Sequence, residues 1–267
     1  MIPNILSIAG SDPSGGAGVQ ADLKTFSALQ CYGMAAITAL TAQNTRCVTG
    51  VHAPPAAFVA AQIEAIFADV RVDAVKIGML ASPDIVVAVA DSLARHRPAY
   101  IVLDPVLVAT SGDSLGAPGV VEALRAHLFP LASVITPNLP EAATLAGAPE
   151  PLDVAGMERL AARLGGQGAR AVLVKGGHLS GVTAEDTLFA DGRVTRYSAP
   201  RVDTQNTHGT GCTLSSAIAA FLARGLALDD AVRAAKDYLT EALRAADRLE
   251  VGHGHGPVHH FARLWPQ

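Results

Sequence analysis

The residues best suited to chemistry sit in short glycine-rich turns. Asn206-Thr207-His208-Gly209-Thr210-Gly211-Cys212-Thr213 runs straight into an apolar helical pattern. Small residues at a helix start leave several backbone N–H groups pointing the same way, with the helix dipole behind them, which makes an anion site. Cys212 falls in the first turn, where the dipole is expected to lower a thiol pKa from its usual ~8.5. Taken alone, the same cysteine reads as a small buried hydrophobe.

A second group follows short apolar runs. Asp104-Pro105 comes after Tyr100–Leu103, and Asn138-Leu139-Pro140-Glu141 after Ser133–Ile135. Asp104, Asn138 and Glu141 offer oxygen ligands of the kind that hold a hydrated magnesium together with phosphates. The competing reading is that Asn138 and Glu141 cap the helix behind them. Lys175, ending Val172-Leu173-Val174-Lys175 before Gly176-Gly177, is either a phosphate clamp or an ordinary exposed strand end.

The first glycine turn, Gly10-Ser11-Asp12-Pro13-Ser14-Gly15-Gly16-Ala17-Gly18, contains Gly16-x-Gly18-x-x-Ala21, a formal match to the dinucleotide fingerprint. That fingerprint needs an acid roughly 20 residues on to hold the ribose hydroxyls, and no Asp or Glu occurs from Thr25 through Ile63. A nicotinamide enzyme is therefore disfavoured. With no Lys-Ser/Thr after the glycines, the turn is not a P-loop either. His253, His255, His259 and His260 cluster near the end of the chain, but the intervening glycines and proline do not preorganise them as metal ligands. A structural or lid role is expected there.

These turns need a scaffold that brings them to one edge. Strand candidates at Asn4–Ala9, Met34–Leu40, Ala74–Ile77, Tyr100–Leu103, Ser133–Ile135 and Ala171–Val174 carry few polar residues, as strands covered on both faces do. They alternate with helix candidates at Ala17–Gln30, Pro55–Phe67, Pro83–Arg97, Gly119–His127, Leu139–Ala146 and Val154–Gly165. The alternation predicts a doubly wound, mostly parallel α/β sheet with helices on both faces. Asp191-Gly192 between Thr187–Ala190 and Val194–Ser198 predicts an antiparallel hairpin at one sheet edge. Two helices, Thr210–Ala223 and Leu228–Arg248, follow, and Gly252–Pro257 reads as a loop. No linker or repeat divides the chain, so one domain spanning residues 1–267 is expected.

Composition narrows the classes. The 267 residues are 50% hydrophobic and 16% charged, with a formal net charge of -4. Disordered chains are poor in apolar residues, and a duplex nucleic-acid binder normally carries a basic surplus. The mean hydropathy of +0.31 comes from alanine and valine spread along the chain. No stretch of ~18 residues is free of charged or turn residues, and no signal peptide is evident, so a cytoplasmic protein is expected. Three cysteines without a Cys-x-x-Cys pair argue against a disulfide framework or zinc site.

Taken together, Gly-Thr-Gly-Cys opening a late helix, Asn-Leu-Pro-Glu after a middle strand and Val-Lys-Gly-Gly before a hairpin resemble the ribokinase superfamily. The opening Ile8-Ala9-Gly10-Ser11-Asp12-Pro13-Ser14-Gly15-Gly16-Ala17-Gly18 narrows this, as do Thr38–Thr45, Lys76-Ile77-Gly78-Met79-Leu80 and Asn206–Cys212. These are similar to the hydroxymethylpyrimidine/phosphomethylpyrimidine kinases of thiamine biosynthesis, over nearly the whole chain. The resemblance implies a ribokinase-like α/β fold, ATP with Mg2+, and phosphoryl transfer to 4-amino-5-hydroxymethyl-2-methylpyrimidine and then to its monophosphate. It further implies that Gln43 bonds the pyrimidine edge, and that Gly10, Asp22, Thr41, Met79 and Val106 line the substrate pocket. Asp104, Asn138 and Glu141 would serve magnesium and phosphates, Lys175 the ATP phosphates, and Lys236 the nucleotide region. Gly209, Thr210, Gly211 and Cys212 would form the catalytic turn, although ribokinase itself places an Asp base where this chain has Cys212. A homodimer is also implied. Pyridoxal or pyridoxine kinases share fold, chemistry and loop, and remain the alternative, alone or as a second activity. A ligand-binding protein that kept the fold without catalysis is disfavoured by the presence of Cys212, Lys175, Asn138 and Glu141.

Overall fold

The computed structural model describes residues 1–107, 117–151, 153–177 and 179–265. In chain order it runs β1 (Asn4–Ser11), α1 (Gly18–Ala28), β2 (Tyr32–Gln43), β3 (Val48–His52), α2 (Ala56–Asp69), β4 (Ala74–Ile77), α3 (Pro83–His96) and β5 (Tyr100–Leu103). A short α4 (Val120–Ala123) continues into a π-helical turn, Leu124–Leu128, before β6 (Val134–Ile135), α5 (Leu139–Ala146), α6 (Val154–Gly166) and β7 (Ala171–Lys175). The chain then forms β8 (Thr183–Ala190), β9 (Arg193–Pro200), α7 (Thr210–Ala223) and α8 (Leu228–Arg244).

Among the described residues nine strands join one sheet in the order β3-β2-β1-β4-β5-β6-β7-β8-β9. β1, β2 and β4 to β7 pair in parallel, while β3, β8 and β9 are antiparallel additions at the two edges. Each face carries its own core. Residues such as Val59, Val89, Leu128, Leu145 and Leu164 pack α2 to α6 on one face. Phe26, Leu214, Ile218, Val232 and Tyr238 pack α1, α7 and α8 on the other. The central strands are buried on both sides, with β4 entirely so, which explains their unbroken apolar runs.

The expected elements are present with small shifts at their ends. The hairpin turns where predicted, with Asp191 at φ 49 and Gly192 at φ 72, the paired positive values of a type I′ turn. β3 is an edge strand that the sequence reading did not anticipate. Four of its five residues are exposed, so no buried face imposes a period of two. The helix expected over Gly119–His127 is α-helical for only four residues before widening to the π-turn, and the one expected to reach Arg248 ends at Arg244. Among the described residues no helix is long and apolar enough to cross a membrane.

The strand order reverses direction at β1, between β2 and β4. Open α/β sheets bind ligands outside the carboxyl ends of their strands at such a point. The two glycine turns, Gly78-Met79, Asp104, Asn138 and Lys175 all leave the sheet at that end.

Candidate active site

The turn before α7 engages Thr210 N with the Thr207 carbonyl at 3.3 Å and leaves the Gly209, Gly211 and Cys212 amides for a ligand. Gly209 adopts φ 78, a conformation favouring glycine, and no side chain caps the helix. A Cβ on Gly209 would lie 1.8 Å from the Gly16 carbonyl, so the two glycine turns touch at this point. The first turn is different, because its own Asp12 fills it. The buried Asp12 carboxylate accepts from the backbone N–H groups of Ser14, Gly16 and Ala17 at 2.8, 3.2 and 2.9 Å, and from Ser14 Oγ at 2.7 Å. His208 Nε2 lies 2.8 Å from Asp12 Oδ2 and bolts the first turn to the second. The turn that formally matches a dinucleotide fingerprint is thus closed around an internal anion. The α7 turn retains the anion-binding geometry.

Beside Gly211 stands a charged cluster. Lys175 Nζ donates to Asp104 Oδ1 at 2.8 Å, with Thr136 Oγ1 at 3.2 Å from the same oxygen and Ser215 Oγ at 3.4 Å from Asp104 Oδ2. A Cβ on Gly211 would stand 3.1 Å from Lys175 Nζ and 3.6 Å from Asp104 Oδ2, so the missing side chain opens the pair to the α7 turn. Asn138 and Glu141 form a reciprocal capping box on α5, with Glu141 N donating to Asn138 Oδ1 at 2.9 Å and Asn138 N to Glu141 Oε2 at 2.8 Å. The capping reading is therefore realised, yet Glu141 also belongs to the cluster electrostatically. Burial pushes its carboxyl up to about 7 against the pull of Lys175, and the charge of Asp104 adds to the rise. Burial also opposes ionisation of Asp104, but Lys175 and Lys76 outweigh it and hold that carboxyl below its ordinary value. Lys175, desolvated but facing Asp104 and Glu141, is held above its ordinary value.

Among the described residues no three or more His, Cys, Asp or Glu side chains converge as a complete metal cage. Two carboxylates next to a lysine and an open anion turn are the donor set that suits magnesium, which keeps waters and is held through one or two carboxylates plus phosphates. The residues present fit that group.

The other half of the site forms around Gly10. A Cβ there would meet Met79 Sδ at 3.1 Å, so the glycine admits the thioether to the end of β1. Thr38 Oγ1 donates to the Met79 carbonyl at 2.6 Å and fixes that turn. At the end of β2, Thr41 Oγ1 lies 2.9 Å from the Ser11 carbonyl and 3.0 Å from Gln43 Oε1, holding the Gln43 amide beside the first turn. Val106 lies half-buried just past Asp104.

Three expectations need correction. Asp22 is fully buried, its carboxylate held by internal partners rather than presented to solvent. Both its oxygens bind Lys76 Nζ at 2.8 and 3.0 Å, and Ser7 and Ser216 donate to it at 2.6 and 2.7 Å. Lys236 is likewise buried. It donates to Asp186 Oδ2 at 2.6 Å, while Asp186 Oδ1 accepts from Gly176 N at 3.0 Å, so Lys236 supports the turn after Lys175 from within. Finally, the Cys212 thiol is not lowered. Burial pushes it up to about 11, and the Asp22 and Asp104 charges add to the rise, against the pull of Lys76 and the Gly18 amide.

Two residues important to the geometry went unnoticed in the sequence. Asp12 in Ser-Asp-Pro-Ser-Gly-Gly carried a signal, since Asp at a turn start commonly takes the following amides. His208 carried none, because its partner lies 196 residues away. The histidines near the chain end divide: His253 and His255 are exposed, while His259 and His260 are buried, with His260 Nε2 3.1 Å from Thr213 Oγ1.

A family profile described as phosphomethylpyrimidine kinase matches residues 12–259. The hydroxymethylpyrimidine/phosphomethylpyrimidine kinase of Rhizobium meliloti is 56% identical over 260 residues, 97% of each chain. Among solved structures, the ADP complex of Bacillus subtilis pyridoxal kinase superposes with a TM-score of 0.90 at 36% identity, covering 98% of this chain and 99% of that one. Phosphomethylpyrimidine kinase from Clostridium difficile gives 0.80 at 44% identity, covering 90% and 99%. The ribokinase-like fold expected from the motifs is therefore the observed one. An open anion turn facing a lysine–carboxylate cluster, on a chain matched along nearly its whole length, places this protein in the phosphomethylpyrimidine kinase family of phosphotransferases.

Proposed function

We propose that the protein transfers the γ-phosphoryl group of ATP to the hydroxymethyl group of 4-amino-5-hydroxymethyl-2-methylpyrimidine, and then a second phosphoryl group to the monophosphate. The observation that carries this reading is the uncapped α7 turn lying between two different environments. On one side stand Lys175 and Asp104; on the other, the apolar and amide surface of Gly10, Met79 and Gln43. Phosphoryl transfer asks a protein mainly for positioning and charge stabilisation. The amides of Gly209, Gly211 and Cys212 face developing charge on the transferred oxygens, while Thr210 N is engaged by the Thr207 carbonyl at 3.3 Å. Lys175 neutralises the nucleotide phosphates once it swings from Asp104, which its unbranched stem permits.

Magnesium would be held by Asp104 and Glu141, with Asn138 fixing the Glu141 carboxylate, and would supply charge neutralisation between the phosphates. Gln43 offers both a donor and an acceptor to the aminopyrimidine edge, as a neutral ring requires. Met79 lays a polarizable surface against the ring, with Thr41 and Val106 beside it. Asp22 and Lys236 act from beneath, the first through Lys76 under Cys212 and the second through Asp186 under Gly176. Cys212 is the proton acceptor for the alcohol in the first transfer.

The partners in this reading are small molecules, ATP and the pyrimidine alcohol, as for the kinase relatives. We further read the chain as one domain, cytoplasmic and working as a homodimer, as the family resemblance implies. The test is incubation with ATP, magnesium and the pyrimidine alcohol, following product by mass spectrometry. Sequential appearance of the mono- and diphosphate supports the reading, and absence of transfer to either acceptor overturns it.

A further inference from the structure

The segment after α8 does more than end the fold. Three glycines in it lie against two distant loops at distances that exclude any side chain. A Cβ on Gly252 would stand 2.3 Å from Thr45 Oγ1, one on Gly254 2.1 Å from the Thr45 carbonyl, and one on Gly256 2.0 Å from Asn206 Oδ1. The contacts are directional. Gly254 N donates to Thr45 Oγ1 at 3.1 Å and His255 N to the Thr45 carbonyl at 2.9 Å. Two residues beyond Asn206 on the other loop, His208 N donates to the Gly256 carbonyl at 3.0 Å, and His208 pairs with Pro257 as a short parallel bridge.

The two loops so joined are the ones that the chemistry requires in register. Thr45 lies two residues after Gln43, in the turn between β2 and β3, and His208 lies one residue before Gly209. Gln43 sits at an irregularity in the β2–β3 pairing, where the register shifts between Ala42 and Gln43, so the edge ladder alone does not fix it. Residues 252, 253 and 255 are exposed and contribute little to either core. Their backbone bonds to Thr45 are therefore suited to orientation rather than to bulk stability.

We propose that residues 252–257 are a positioning strap that sets the distance between the ring-recognising Gln43 and the phosphate-binding α7 turn, with Thr45 and Gly254 as its positioning residues. This rests on the assignment of Gln43 to the pyrimidine edge. An alanine at 254 would stand 2.1 Å from the Thr45 carbonyl and must push it away by more than 1 Å to restore ordinary contact, and displacements of about 1 Å cost up to about 100-fold at a site that depends on alignment.

The test compares Gly254→Ala and Thr45→Ala with the parent protein, measuring KM for the pyrimidine alcohol and for ATP, and calorimetric binding of the alcohol alone. Thr45→Ala removes the Oγ1 acceptor and one methyl group from a half-buried turn position and serves where Gly254→Ala fails to fold. The expected result is a rise in pyrimidine KM and Kd of about tenfold, with KM for ATP changed less than about twofold. Each variant is then combined with Gln43→Ala, where the further rise should vanish because the group being positioned is gone. Parallel increases in both KM values, or an additive effect in the Gln43→Ala background, overturn the strap. Gln43→Ala that alone leaves pyrimidine binding unchanged overturns the Gln43 assignment, and the strap with it.

Discussion

In the proposed mechanism Cys212 separates the two phosphoryl transfers. The first acceptor is an alcohol that must lose a proton; the second is a phosphate oxygen, already anionic at neutral pH since its second pKa is about 6. A proton acceptor is worth ~100- to 10,000-fold in rate and concerns only the first step. Burial pushes the Cys212 thiol up to about 11, so at pH 7 the thiolate fraction is roughly one in ten thousand, at one tenfold step per pH unit. Raising the pH from 7 to 9 multiplies that fraction by about 100. Single-turnover rates by rapid quench, with saturating ATP and each acceptor in turn, should therefore climb about tenfold per pH unit for the alcohol and stay nearly flat for the monophosphate. In Cys212→Ala the climb should disappear and the alcohol rate fall, leaving the monophosphate rate close to the parent. Equal pH slopes for the two acceptors, or a slope that survives in Cys212→Ala, would refute the role given to this thiol.

Gly211→Ala brings a methyl to 3.1 Å from Lys175 Nζ and 3.6 Å from Asp104 Oδ2; turnover with ATP should drop by about 100-fold while thermal stability stays near the parent value, and unchanged kcat contradicts this. Asp12→Ala removes the acceptor for the Ser14, Gly16 and Ala17 amides and for His208. Breaking such a buried pair costs about 3–5 kcal/mol, so calorimetry should record a Tm lower by roughly 6 °C or more. His260 is held down to about 3 by burial, with Lys24 and His259 adding. Its folded value lies below the unfolded one, so the stability it contributes is full above pH 6.5 and is lost as the pH falls toward 3. Unfolding free energies from urea titration should decline over that window by up to about 1.4 kcal/mol per pH unit, and His260→Gln should flatten the decline.

Much of the fold was legible because the buried strands enforce it. β4 and β5 run over the residues expected, being apolar runs whose both faces are covered. The Asp191-Gly192 turn was equally legible, since its backbone demands positive φ at both residues. β3 was not, because an exposed edge strand leaves no periodic trace. The candidate site was legible by residue type at Lys175, Asp104, Glu141 and the α7 turn, all at strand or helix ends. What the sequence concealed was pairing over long separations. Asp22 looked like a pocket residue until Lys76, 54 positions away, neutralised it from β4. Lys236 looked available for nucleotide until Asp186 claimed it. Cys212 looked activated by its helix start, but desolvation and two nearby carboxylates outweigh that turn. Local sequence reports dipoles and caps; it does not report how much water the folded chain removes.

The 0.90 superposition on a pyridoxal kinase makes acceptor choice the sharpest question. Both rings are flat heteroaromatic alcohols, and in the proposed site Gln43 and Met79 tell them apart. The decisive measurement is kcat/KM for 4-amino-5-hydroxymethyl-2-methylpyrimidine against pyridoxal, in one buffer with the same ATP and magnesium. A preference for the pyrimidine of about tenfold or more, the size of roughly one well-placed hydrogen bond, with onward conversion of its monophosphate, is the predicted result. Parity, or a preference for pyridoxal, would contradict the assignment.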